Sequence, residues 1–84
     1  MQSDKIVAES VGLAVRGAIA QAGLTQEEAA PRVGIPLSTL SRRINGLIPF
    51  TFPELVRVAA VTGVTLAELV SSAERIAASR MDAA

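Results

Sequence analysis

Residues Thr25–Gly46 read TQEEAAPRVGIPLSTLSRRING. Thr25 and Glu28 stand in the Thr-x-x-Glu spacing of a capping box, in which the hydroxyl accepts from a first-turn N–H while the carboxylate reaches back to the cap's own N–H. Gly34 can end the helix so begun, because a residue without Cβ takes positive φ at low steric cost. A second helix-sized run opens at Leu37 behind Pro36 and closes at Asn45, before Gly46. Only Gly34-Ile35-Pro36 separates the two runs, so the helices must cross steeply, the geometry of a helix-turn-helix. Ile35 is the apolar plug of that corner, and Ala30, Leu40 and Ile44 are the expected inward contacts.

The start signal recurs at Thr51-Phe52-Pro53-Glu54 and Thr65-Leu66-Ala67-Glu68. Each carries an apolar staple, Phe50 with Leu55 and Val64 with Leu69, that sets the angle at which the chain joins its helix. Gly23, Gly46 and Gly63 mark further stops. The pattern predicts five helices, over about Ser3 to Ala22, Gln26 to Val33, Leu37 to Asn45, Phe52 to Thr62 and Leu66 to about Arg80. No strand pattern competes. Helix one presents Val11, Val15, Ala18, Ile19 and Ala22 to the core, and helix four Leu55, Val58, Ala59 and Thr62, with Arg57 on the flank. Gly12 and Gly17 each weaken helix one by roughly 1 kcal/mol relative to Ala unless packing needs their smallness.

An 84-residue chain forms one small domain whose core is just large enough. Half the residues are hydrophobic, but only Phe50 and Phe52 are aromatic, which suits closely approaching helices and an all-α fold. Both phenylalanines read as staple and core rather than as base-stacking groups. Without Cys or His there is no disulfide, thiolate, imidazole base or soft metal ligand. Ser38, Ser41 and the carboxylates therefore lack an organising base or metal, and neither an enzyme nor a metal, cofactor or small-molecule site is expected. The apolar run Val11–Val15 is broken by Arg16, short of the ~20 residues that span a bilayer. The start, MQSDK, lacks a signal-peptide pattern, so a cytoplasmic protein of a bacterial cell or phage-infected host is expected. Formal net charge is zero, yet between Glu28 and Glu54 there are three arginines (Arg32, Arg42, Arg43) and no carboxylate. That dipolar arrangement can orient a protein on a polyanion; it can equally be a chance cluster on a wet surface.

With Gln26, Ala30, Gly34, Gly46 and the Gly63-Val64 to Leu69 ending in register, the chain resembles the Cro and cI repressor type of helix-turn-helix, also called the xenobiotic-response-element type, of phage and bacterial transcription regulators. The resemblance covers about Val11 to Val70 and leaves residues 71–84 as a C-terminal helix extension. It implies a compact five-helix, lambda-repressor-like domain whose third helix lies in the major groove of duplex DNA. By match to that family's base-reading positions, Leu37, Ser38 and Arg42 are the expected readers, with Arg42 bidentate on a guanine edge and Leu37 offering apolar contact to a thymine methyl. Gln26 is the expected phosphate contact at the start of helix two, and Arg32, Ser41, Arg43 and Asn45 are further candidates. Helical arithmetic agrees in part: with Leu40 and Ile44 inward, Ser38, Arg42 and Asn45 face away and Thr39 and Ser41 lie on the borders.

The sequence departs from the family at several places. The family often has Glu at the position of Ile44, paired with Arg at the position of Ile19, and an apolar residue at the position of Arg43. Two isoleucines can replace such a pair without loss of stability, which would free the head of Arg43. Pro31 removes a hydrogen bond inside helix two and would kink or shorten it. Pro36 takes a cap position where a hydroxyl is more usual, leaving the first-turn N–H groups of helix three to water or phosphate. Ala73, Ile76 and Ala77 form a stripe that needs cover, from a symmetric homodimer through the C-terminal helix or from an extended helix one through Ile6 and Val7. Two functions are therefore carried: a sequence-specific duplex-DNA-binding transcription regulator of repressor or Cro type, and a protein-interaction module on the same fold, such as an antitoxin or regulatory subunit.

Overall fold

All three capping boxes form. Glu28, Glu54 and Glu68 each accept from the backbone N–H of Thr25, Thr51 and Thr65, at 2.9, 2.8 and 3.0 Å, and each threonine hydroxyl accepts from the N–H of its glutamate. The computed structural model describes residues 2–83, as α1 (Gln2–Gln21), α2 (Gln26–Val33), α3 (Leu37–Ile44), α4 (Phe52–Thr62) and α5 (Leu66–Ala83). No strand occurs among the described residues. Gly34 and Gly63, with φ of 84° and 76°, close α2 and α4 through N–H bonds to Ala30 and Ala59. The pattern thus places α2 and α4 to the residue, because capping is decided within four residues of chain.

One core, built on Val15, Ile19, Val33, Leu40, Ile44 and Val58, joins all five helices through Leu69 of α5. Ile19 and Ile44 are 2 and 3 % exposed, so both aliphatics sit where a charged pair would have been desolvated. Ile35 packs against this core from the corner between α2 and α3. The expected stripe of α1 is corrected at three positions: Ala22 lies beyond the helix and is exposed, while Ala14 and Ser10 are buried. Ser10 is tolerated there because its hydroxyl donates to the Ile6 carbonyl at 2.6 Å. Phe52 is also corrected: as the first residue of α4 it is 67 % exposed, whereas Phe50 packs on the core.

Pro31 does not shorten α2, which runs unbroken to Val33 with Pro31 on its wet side. Glu27, whose carbonyl loses that ladder bond, is exposed as well, so water can serve the orphaned acceptor. α1 and α5 lie antiparallel as the most extensive helix pair, with Arg80 beside Glu9 and Leu69 level with Ala14. α1 thus covers part of α5. Ala73 is buried and Ile76 and Ala77 half-buried within one chain, without a second copy.

The two glycines of α1 behave oppositely. A Cβ on Gly12 would strike the carbonyl of Ile44 at the end of α3, whereas one on Gly17 would meet nothing within 4 Å. Gly12→Ala is expected to lower stability by about 1–3 kcal/mol, through overpacking against backbone, and Gly17→Ala to raise it by about 0.5–1 kcal/mol, through helix propensity. Denaturant melts of the two variants read the sign directly, and equal effects would refute this account of Gly12.

Hydrogen bonds from Thr25 and Thr65 hold the Glu28 and Glu68 carboxyls below their ordinary pKa. Their stabilisation is present above the ordinary glutamate range, about 4.3, and is lost as pH falls through the lower folded values. Glu28→Gln with Glu68→Gln is expected to flatten the dependence of stability on pH in that acidic window and leave its slope near neutrality unchanged, as measured by urea melts across pH.

Candidate nucleic-acid interface

α3 presents its polar side to solvent because its apolar side is fully engaged: Leu40 and Ile44 are 0 and 3 % exposed. Ser38, Arg42 and Asn45 are exposed and Thr39 and Ser41 half-buried, as the helical arithmetic requires. Leu37, at 42 % exposure, stands beside Ser38 on the first turn. Pro36 makes no side-chain cap to α3, so the N–H groups of Leu37, Ser38 and Thr39 receive none from it. Gln26 is half-buried at the first position of α2, and Arg32 is exposed in that helix's last turn.

The far end of α3 is pinned from two sides. α1 lies directly on it, since Gly12 meets the Ile44 carbonyl and a Cβ on Gly46 would fall 2.6 Å from Glu9 Cγ. Gly46 also needs its φ of 76° to let the Gly46 and Leu47 N–H groups close on the Arg43 and Arg42 carbonyls. From the other side comes Arg43. Its Nη1 donates to the Pro49 carbonyl at 2.7 Å, and its Nε lies 3.1 Å from Glu54 Oε1, with the side chains 17 and 7 % exposed. The second contact is charge against charge, because Nε is buried and makes no aligned hydrogen bond.

Arg43 is therefore not the freed head that the isoleucine swap suggests; its guanidinium is committed to α4 and to the loop before it. The charge pair expected between α1 and α3 in the family is absent here, and an arginine–glutamate pair of the same chemistry joins α3 to α4. Glu54 serves twice, as the cap acceptor of α4 and as the counter-ion of Arg43. Sequence reading missed it because Glu54 already had a complete local explanation.

Arg57 is a second omission. From α4 its Nε donates to the Val33 carbonyl at 2.7 Å, so a cation closes the C-terminal end of α2 next to the turn. No local spacing signals a contact across 24 residues. Of the named candidates, α3 brings Leu37, Ser38, Ser41 and Arg42 together on one short helix, which ends at Ile44 rather than Asn45 and has Asn45 as its C-cap, with Gln26 and Arg32 at opposite ends of α2. Among the described residues no cluster of three or more His, Cys, Asp or Glu side chains could hold a metal, and no single helix is long and apolar enough to cross a membrane.

Two helices joined by a three-residue corner, the second bearing an outward polar face and braced at its end, define a helix-turn-helix protein. The sequence model described as "Helix-turn-helix" matches residues 15–69, and the chain belongs to this Cro/C1-type helix-turn-helix family of DNA-binding transcription regulators. No curated protein sequence and no solved structure matches the chain.

The Arg43–Glu54 contact makes a direct prediction. In a cycle of Arg43→Met, Glu54→Gln and the double variant, stability changes are expected to be non-additive by about 1 kcal/mol or more, as for a partly buried charge pair. Additive losses in equilibrium denaturation would mean that the two side chains do not support each other.

Proposed function

We propose that this protein is a sequence-specific, duplex-DNA-binding transcription regulator of repressor or Cro type that acts by placing α3 in the major groove. The observation that carries the reading is the exposed Ser38–Arg42 face on a helix fixed by Leu40 and Ile44 beneath it. An α-helix fits the major groove, where a guanidinium can bond both acceptors of a guanine edge. Arg42 is the principal reader, Ser38 a short hydrogen-bonding partner, and Leu37 an apolar contact for a thymine methyl. Gln26, Arg32, Ser41 and Asn45 are assigned to phosphates, which fix register without reading sequence. Arg43 is assigned to positioning, since its head has intramolecular partners.

Two copies on a pseudo-palindromic operator would set their recognition helices about one DNA turn, or 34 Å, apart. The chain measures 35 × 23 × 20 Å, so two copies fit at that spacing with a shorter dimension along the DNA. α5 keeps Val70 and Met81 45 and 43 % exposed, and a second apolar surface is also available to a dimer. Leu47, Ile48, Phe52 and Val56 are 74, 39, 67 and 44 % exposed, and no charged residue lies between Arg43 and Glu54. Such a segment suits a second copy better than a phosphate backbone.

Selection of bound duplexes from a random pool, followed by titration at several salt concentrations, tests the reading. Arg42→Ala is expected to weaken operator binding about 5- to 150-fold and to relax preference at one base pair. Gln26→Ala should weaken all sequences alike, and Arg43→Met should leave the salt slope unchanged because it removes no phosphate contact. No selected operator, or indifference to Arg42→Ala, would defeat the proposal.

A further inference from the structure

α1, α4 and α5 leave an apolar groove that the helix-turn-helix does not use. A hollow of 190 Å³ is walled by Val11, Leu55, Leu69 and Val70, and stays open because Ala73 and Ala77 are small. A second hollow of 310 Å³, bounded by Pro49 and Phe50, adjoins it and shares Val7, Val11 and Leu55. Val7 and Val70 are 47 and 45 % exposed. The lining of α1 runs from Asp4 to Val15, which at 1.5 Å per residue is about 16 Å of helix. An elongated trough of this kind receives a helix laid along it better than it holds a compact molecule.

The charges beside the trough have one sign. Asp4 borders one hollow and Glu74 the other, while no Lys or Arg borders either. The cations of α5 are directed elsewhere: Arg75 borders a different hollow, with Gln21 and Glu68, and Arg80 pairs with Glu9.

We infer that this groove binds an amphipathic helix of another protein, whose apolar side rests on Val7, Val11, Leu55 and Val70 and whose flanking Lys or Arg residues meet Asp4 and Glu74. A second copy placed groove to groove is disfavoured, since it would bring Asp4 and Glu74 of both chains together and neither hollow's lining supplies a Lys or Arg to meet them. No side chain of α3 borders either hollow, so DNA and the partner helix can be held together. The inference does not depend on the DNA-binding reading.

Two labelled synthetic helical peptides with the same leucine face, one flanked by Lys and one by Glu, test it by fluorescence anisotropy with the full chain. The Lys-flanked peptide is expected to bind at least about tenfold more tightly, and Glu74→Gln to narrow that gap. Val70→Glu, or Ala77→Phe as a second groove-blocking variant, should abolish binding while helix content and operator affinity are retained. Binding of neither peptide, or equal binding unaffected by Glu74→Gln, overturns the inference. So does a dimer, seen by sedimentation, that Val70→Glu dissociates, because the groove would then belong to a second copy. Operator affinity measured on the same variants keeps this outcome separate from any failure of the DNA reading.

Discussion

α1 approaches the end of α3 so closely that Gly12 lies against the carbonyl of Ile44. Any side chain at residue 12 would push the two helices apart. With them close, Ile44 and Leu40 reach Val15 and Ile19 in one core, and the polar side of α3 has only one direction left to face. Gly46 admits α1 at the same corner, where Glu9 leaves no room for a Cβ. The outward posture of Ser38 and Arg42 thus follows from packing behind them.

Charge completes what packing begins. The Arg43–Glu54 pair ties the end of α3 to α4, and Arg57 ties α4 back to the end of α2. α4 is in this way bonded to both helices of the helix-turn-helix. Neither bond joins exposed, freely screened partners in the manner of an ordinary surface salt bridge: Glu54 is 5 % exposed and the acceptor for Arg57 is a backbone carbonyl. Three arginines without a carboxylate gave the interval between Glu28 and Glu54 its positive character. In the folded chain one of them, Arg43, is neutralised by the glutamate that ends that interval, which leaves Arg32 and Arg42 as its exposed cations.

The long α1–α5 pair explains why so small a chain shows both a well-covered core and a large apolar trough. Antiparallel packing covers Ala73, but alanines at 73 and 77 leave space where larger residues would have closed the surface. Small residues permit close helix approach and leave a hollow wherever a third helix does not reach.

Thr25 with Glu28, Thr51 with Glu54, and the glycines at 34 and 63 were legible from sequence because each acts on its own chain within about four residues, and these signals set the helix boundaries. The inward–outward division of α3 was legible for the same reason, since it follows from helical repeat once Leu40 and Ile44 are inward. Only tertiary structure decided that Gly12 is required and Gly17 is not, that Phe52 is exposed, that Arg43 turns to Glu54 and Arg57 to Val33, and that Ala73 is buried within one chain. Each of those depends on which residue of a distant segment occupies the adjacent space, and no periodicity in a single chain records that.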